Sequence, residues 1–264
     1  MKRNRTIGIV SGKGGVGKTV TAVNLSVLLS RDGINTLLVD SDVQNPSVGL
    51  HVGFASMHVG FQDVLSGKIA LEDALVEHPQ SRLKILPASL KPSYRVPIQN
   101  FEKFVRLIEE DYELTIVDSP PSVLDYVQKV ITGCDEVIIV TTPDLPSIMS
   151  ANKVIAFAEQ RRTKVFGVVL NRVRGKAYEL PVKEVEVLTN YRVLASIPED
   201  DAVPLSIALQ QPVVQRFPDS DAALKFVELA EEVAMVPLRR AQQSRSFTAR
   251  LIRFLRWFNP FKRY

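Results

Sequence analysis

Short runs of uninterrupted aliphatic residues alternate along the chain with longer stretches in which apolar positions return every three or four residues. The runs are Thr6–Val10, Thr36–Val39, Leu83–Leu86, Leu114–Val117, Glu136–Val140, Lys164–Leu170 and Arg192–Ile197. Most are continuous in Val, Ile and Leu rather than alternating, which predicts strands covered on both faces, as in a parallel sheet. Between them Val20–Arg31, Phe101–Glu110, Pro146–Arg161, Leu180–Thr189 and Asp219–Val236 predict helices. Strand and helix in alternation predict an α/β fold, a single domain with a mostly parallel central sheet flanked by helices. Neither a repeat nor a low-complexity linker interrupts residues 1–238; the expected domain is 1–236, and Pro237 ends its last helix.

The pattern changes after it. Residues 237–246 read as a polar linker, and 247–264 as a separate helix. In that last segment Phe247, Leu251, Phe254, Leu255 and Phe258 recur on one helical face, with Arg245, Arg253 and Arg256 opposite and Trp257 near the boundary. Charge sharpens the contrast. The formal net charge is +4, yet Arg239–Tyr264 holds eight basic residues and no acid, leaving 25 basic against 29 acidic residues in 1–238. An apolar face backed by arginines, on a mildly acidic body, predicts an amphipathic helix lying in an anionic lipid headgroup layer.

Other chemistry is excluded early. The single cysteine, Cys134, sits in a strand-like context and cannot form an internal disulfide; His51, His58 and His78 have no metal-ligand spacing. No run is long and apolar enough to span a bilayer, and MKRNRTIGIV lacks a signal-peptide pattern, so the expected location is cytoplasmic, peripherally attached to the inner face of the membrane.

The strongest chemical signal is Gly12-Lys13-Gly14-Gly15-Val16-Gly17-Lys18-Thr19, which satisfies the phosphate-loop pattern GxxxxGK[ST] between an apolar strand and a helix-compatible run. Glycines let successive backbone N–H groups turn onto phosphates, and the helix N-terminus adds its positive dipole end. Lys18 is expected to pair with the β- and γ-phosphates and the Thr19 hydroxyl to ligate Mg²⁺.

Lys13 is not required by that chemistry within one subunit. The string KGGVGKT resembles the deviant Walker A box of the MinD/ParA family of P-loop ATPases. That resemblance implies an ATP hydrolase using ATP and Mg²⁺, in which Lys13 reaches across an ATP-dependent homodimer to the partner's nucleotide. It also implies roles elsewhere. In "LLVDSDVQNPSVGLHVGF", Asp40 would act through the water shell of the metal and Asp42 would position the attacking water. In "LTIVDSPPS", Asp118 would hold a metal-bound water. Asn171 in "VVLNRVRG" would present its amide to adenine, flanked by backbone around Pro198, Glu199 and Asp200 in "IPEDDAVPLSIALQQPVV". Two departures from the family pattern stand out: Val20 replaces a second Thr but keeps its N–H at the α-phosphate, and Gln211 replaces a Gly.

Within the family, the IPED stretch, "LKILPAS" and the tail resemble the MinD branch, which implies intracellular positioning, above all division-site placement, with a protein activator or effector as further partner. A ParA-like partition ATPase on DNA and a flagellar or polar positioning ATPase are the alternatives. The acidic body disfavours DNA, because phosphate-backbone binding needs basic residues spread over the folded surface.

Overall fold

In the computed structural model the described residues are 4–54, 58–90, 96–121 and 125–238. The amphipathic segment 247–264, and with it Phe247, Leu251, Phe254, Leu255, Trp257 and Phe258, lies outside them, as do residues 239–246 of the linker.

The strands are β1 (Arg5–Val10), β2 (Thr36–Asp40), β3 (Val76–Glu77), β4 (Lys84–Leu86), β5 (Leu114–Asp118), β6 (Glu136–Thr141), β7 (Lys164–Val173) and β8 (Val193–Pro198). The helices are α1 (Lys18–Arg31), α2 (Val48–Val52), α3 (Phe61–Leu65), α4 (Leu71–Ala74), α5 (Phe101–Ile108), α6 (Asp125–Gly133), α7 (Leu145–Gln160), α8 (Val182–Thr189), α9 (Ala202–Ala208), α10 (Val213–Arg216) and α11 (Asp221–Ala234). They build one eight-stranded sheet in the order β3-β4-β2-β5-β1-β6-β7-β8. Every pairing is parallel except that of the short edge strand β3 with β4.

Successive residues of each central strand pack on opposite faces. Ile7 and Ile9 of β1, Leu114 and Ile116 of β5, and Ile138 and Val140 of β6 meet Leu25 and Leu29 of α1 and Phe226 and Leu229 of α11. On the other face Val137 and Ile139 meet Ile148, Ala151 and Val154 of α7. Val117 and Leu37 meet Phe101 and Phe104 of α5, and these two rings pack on Phe61 with centroids 5.5–6.2 Å apart. Covering both faces explains the continuous hydrophobic runs.

All seven strands expected from the sequence are present, and β7 runs three residues further, to Val173. The strand β3 and helices α2, α3, α4, α6, α9 and α10 were not expected. Each spans two to nine residues, too few for a period to declare itself. One expectation is corrected: Cys134 is buried in a bend between α6 and β6, not in a strand-like segment. The last helix ends where Met235 turns left-handed (φ 58°), and Leu238 beyond it is still buried in the core, so the packed body continues past residue 236.

Sheet order decides where a ligand can sit. β1 lies between β5 and β6, so the connection leaving its carboxyl end opens into the crevice that open parallel sheets use for ligands. The register sets Ile9 beside Asp118 and Asp118 beside Asp40, bringing three strand ends to one spot.

Candidate nucleotide site

The loop after β1 threads a passage too narrow for side chains. A Cβ on Gly12 would lie 2.1 Å from the Ser150 carbonyl oxygen of α7, and one on Gly17 2.1 Å from Asn171 Nδ2 of β7. Gly17 also adopts φ 96°, a left-handed conformation that favours glycine. It stands at the N-cap of α1 with no side-chain cap, and no acidic residue occupies the first turn. The first N–H groups of α1, from Lys18, Thr19 and Val20, therefore stay available to an anion. Gly14 and Gly15 are exposed at the tip, and Val16 is buried beneath it.

Two carboxylates are buried below the loop. Asp118, at the end of β5, is fully buried; its Oδ2 accepts the Thr19 hydroxyl at 2.6 Å, while its Oδ1 has no hydrogen-bond partner. Asp40, at the end of β2, accepts backbone N–H bonds from Asp42, Ser47 and Val48 at 3.0–3.1 Å, so its two oxygens shape the following loop. Burial pushes the Asp118 carboxyl up to about 7, with Thr19 and Lys18 opposing the shift. Burial and the neighbouring Asp118 raise Asp40 as well. Lys18 is buried, which lowers its pKa against the pull of Asp118 and Asp42. Asp42 is half-buried; its Oδ1 accepts the Asn45 N–H, and burial raises its pKa. Phosphate oxygens and a cation would fit together here with the buried Lys18 ammonium and the two buried carboxylates, because each charge compensates another.

Lys13 points elsewhere. It is exposed, and its Nζ lies 3.5 Å from Ser147 Oγ in the first turn of α7. That turn is capped by Asp144, which accepts the Ser147 N–H, and α7 exposes Leu145 and Met149.

On the opposite side Asn171 donates its Nδ2 to the Val16 carbonyl at 2.8 Å, tying β7 to the phosphate loop. Its Oδ1 accepts no hydrogen bond among the described residues and is the atom left for a base amino group. Pro198, Glu199 and Asp200 line an open cleft of about 430 Å³ together with Asp201, Asp219, Ser220 and Asp221. The Asp200 carboxylate accepts N–H bonds from Ala202 and Ala222, so it fixes the starts of α9 and α11. The left-handed residue after α9 is Gln210 (φ 53°), so position 211 does not need a glycine.

Residues 7–213 match the CobQ/CobB/MinD/ParA nucleotide binding domain. The chain belongs to the MinD/ParA family. Membership extends to full-length likeness: an uncharacterized ATP-binding protein of Methanocaldococcus jannaschii is 32% identical over 253 residues, covering 94% of this chain and 96% of that one. The septum site-determining protein MinD of Pyrococcus horikoshii, solved with Mg-ADP, superposes with a TM-score of 0.83 at 27% identity, covering 92% of this chain and all of that one. MinD in the MinC:MinD cell division protein complex of Aquifex aeolicus gives a TM-score of 0.79 at 27% identity, over 89% of this chain and 98% of that one.

The residues of this MinD/ParA-family chain fit a magnesium ion bound with a nucleotide. Among the described residues no three His, Cys, Asp or Glu side chains form a cage. A phosphate-bound Mg²⁺ does not need one, since it takes most of its ligands from phosphates and water. The Thr19 hydroxyl, whose proton goes to Asp118 Oδ2, would offer its oxygen lone pair, and the unpartnered Oδ1 of Asp118 lies beside it. Two participants escaped the sequence reading: Ser47, whose hydroxyl lies 3.1 Å from that of Thr19, and Arg172, which donates to the Gly15 carbonyl at 3.4 Å. No spacing signals them, because each reaches the loop only through the fold.

Proposed function

We propose that the chain is an ATPase that dimerises on ATP, associates with an anionic membrane surface in that state, and positions a cellular structure, most concretely the division site. The observation that carries this reading is the split between the two lysines. Lys18 is buried beneath the loop, where it would meet β- and γ-phosphates, whereas Lys13 is exposed, with its Nζ 3.5 Å from Ser147 Oγ of α7. An exposed cation held outside its own phosphate site fits a contact completed by a second subunit.

In the dimer, Lys13 of each protomer stabilises charge on the phosphoryl group held by its partner, so turnover waits for assembly. Asp42 orients the attacking water from the loop that Asp40 shapes, and Asn171 Oδ1 accepts from the adenine amino group. The Thr19 hydroxyl would hold a Mg²⁺ bound with the nucleotide, with Asp118 and Asp40 acting through its water shell, and that cation would supply charge neutralisation at the phosphates. Pairing doubles the number of membrane-seeking tails and raises avidity, so nucleotide state becomes membrane residence. Support for the division-site role comes from the MinD relatives and from the amphipathic tail. Light scattering decides the core of the proposal: mass doubles in Mg-ATP with slowed hydrolysis and stays monomeric in Mg-ADP. An unchanged mass in ATP refutes it.

A further inference from the structure

Asn171 and Arg172 are neighbours on β7, and adjacent strand side chains ordinarily point to opposite faces. Here both reach the phosphate loop, Asn171 through Val16 and Arg172 Nη1 through the Gly15 carbonyl at 3.4 Å. The alternation breaks at Arg172 itself, which adopts φ 60° where the β7–β8 register slips between Leu170 and Val173. A left-handed backbone is unfavourable for a residue with a Cβ, and it persists where its surroundings over-determine it. The half-exposed guanidinium is one restraint on it. Its Nε and Nη2 form a bidentate pair with Glu199 at 2.8 and 3.2 Å, which leaves Nη1 facing the loop. Glu199 is itself fixed, since its N–H donates to the Val173 carbonyl at 2.9 Å.

In a trans peptide the carbonyl of one residue and the N–H of the next point in opposite directions. With the Gly15 and Val16 carbonyls drawn toward β7, the N–H groups of Val16 and Gly17 face away from it, into the hollow of the loop. We propose that Arg172 is a positioning residue for the nucleotide phosphates: buttressed by Glu199, it holds the Gly15–Val16 peptide with its N–H turned to the anion. This deepens the nucleotide-binding reading and rests on it. Arg172 touches no phosphate itself. It removes the reorientation that a flexible glycine-rich tip would otherwise undergo on binding.

The test uses the full chain, fluorescent Mg-mant-ADP and inorganic pyrophosphate as competitor. If the unsubstituted chain binds neither, the nucleotide reading itself fails. If it binds, Arg172→Ala is expected to weaken both by about tenfold, the scale of one charge-assisted hydrogen bond. Arg172→Gly relieves the backbone, so its melting temperature should equal or exceed that of the parent while its affinity stays as low as that of Arg172→Ala. A residue that merely supports β7 would behave otherwise, regaining affinity together with stability in the glycine variant. That result overturns the proposal, as does unchanged mant-ADP affinity in Arg172→Ala. Loss of mant-ADP binding with pyrophosphate binding intact also overturns it, since Arg172 would then act on the base.

Discussion

Replacing Asp118 by Asn isolates the buried carboxylate below the phosphate loop. The group is fully buried, and its pKa is pushed from 3.8 up to about 7. Its folded value lies above its unfolded one, so the folded chain keeps a proton that the unfolded chain has already lost. The associated stability is complete below the unfolded pKa and is lost as pH rises through the folded one. At ~1.4 kcal/mol per pH unit of separation, the full loss approaches ~4 kcal/mol, of which roughly 2–3 kcal/mol falls between pH 5 and pH 8. Asn cannot ionise, so the nucleotide-free variant should be spared that loss. Any pH-independent change in hydrogen bonding cancels when the two pH profiles are compared. For a domain of this size the difference amounts to roughly 5–10 °C in melting temperature. The assay is thermal melting of nucleotide-free parent and variant from pH 5 to pH 8. Parallel profiles refute the reasoning, because Asp118 would then not retain its proton. Added Mg-ADP should stabilise the parent more than the variant, since binding the cation favours the ionised carboxylate that Asn lacks.

Asp42→Ala is expected to retain nucleotide binding and dimerisation and to lose turnover by at least a hundredfold, the scale of a lost general-base or water-positioning group; a parent-like rate in a phosphate-release assay rejects Asp42. Lys13→Ala should bind Mg-ADP normally and fail to hydrolyse ATP even at high protein concentration, whereas Lys18→Ala should weaken nucleotide binding itself, both read by titration and phosphate release. Truncation after Leu238 keeps every core side chain of the described residues and removes the basic amphipathic segment. The shortened chain should melt like the parent and stop sedimenting with anionic liposomes in ATP; loss of folding would show that the segment packs on the core. Phe254→Asp with Leu255→Asp in the full chain should abolish liposome binding even at low salt, because the apolar face must enter the headgroup layer; binding that survives would leave surface charge alone as the attraction.

The order of elements, the parallel sheet and the phosphate loop were legible in the sequence, because each rests on local chemistry. Valine- and isoleucine-rich runs mark doubly covered strands, and a glycine string between strand and helix marks a phosphate cradle whatever surrounds it. The expected places of Lys18 and Thr19 come from that string, and the role proposed for Lys13 comes from the family resemblance. Tertiary structure alone decided what each remaining group does with its hydrogen bonds. Asp40 and Asp118 lie 78 residues apart in sequence and become neighbours only through the β2–β5 register. Asn171 and Arg172 reach the loop only because β7 lies two strands from β1 and its backbone turns left-handed at one residue. The need for glycine at Gly12 likewise comes from α7, and at Gly17 from β7 together with the left-handed turn of the loop. Periodicity reports which side of an element is buried, and motif spacing reports local backbone shape. Neither carries the distance between two elements, and that distance decides which carbonyl, carboxylate or ammonium a side chain meets.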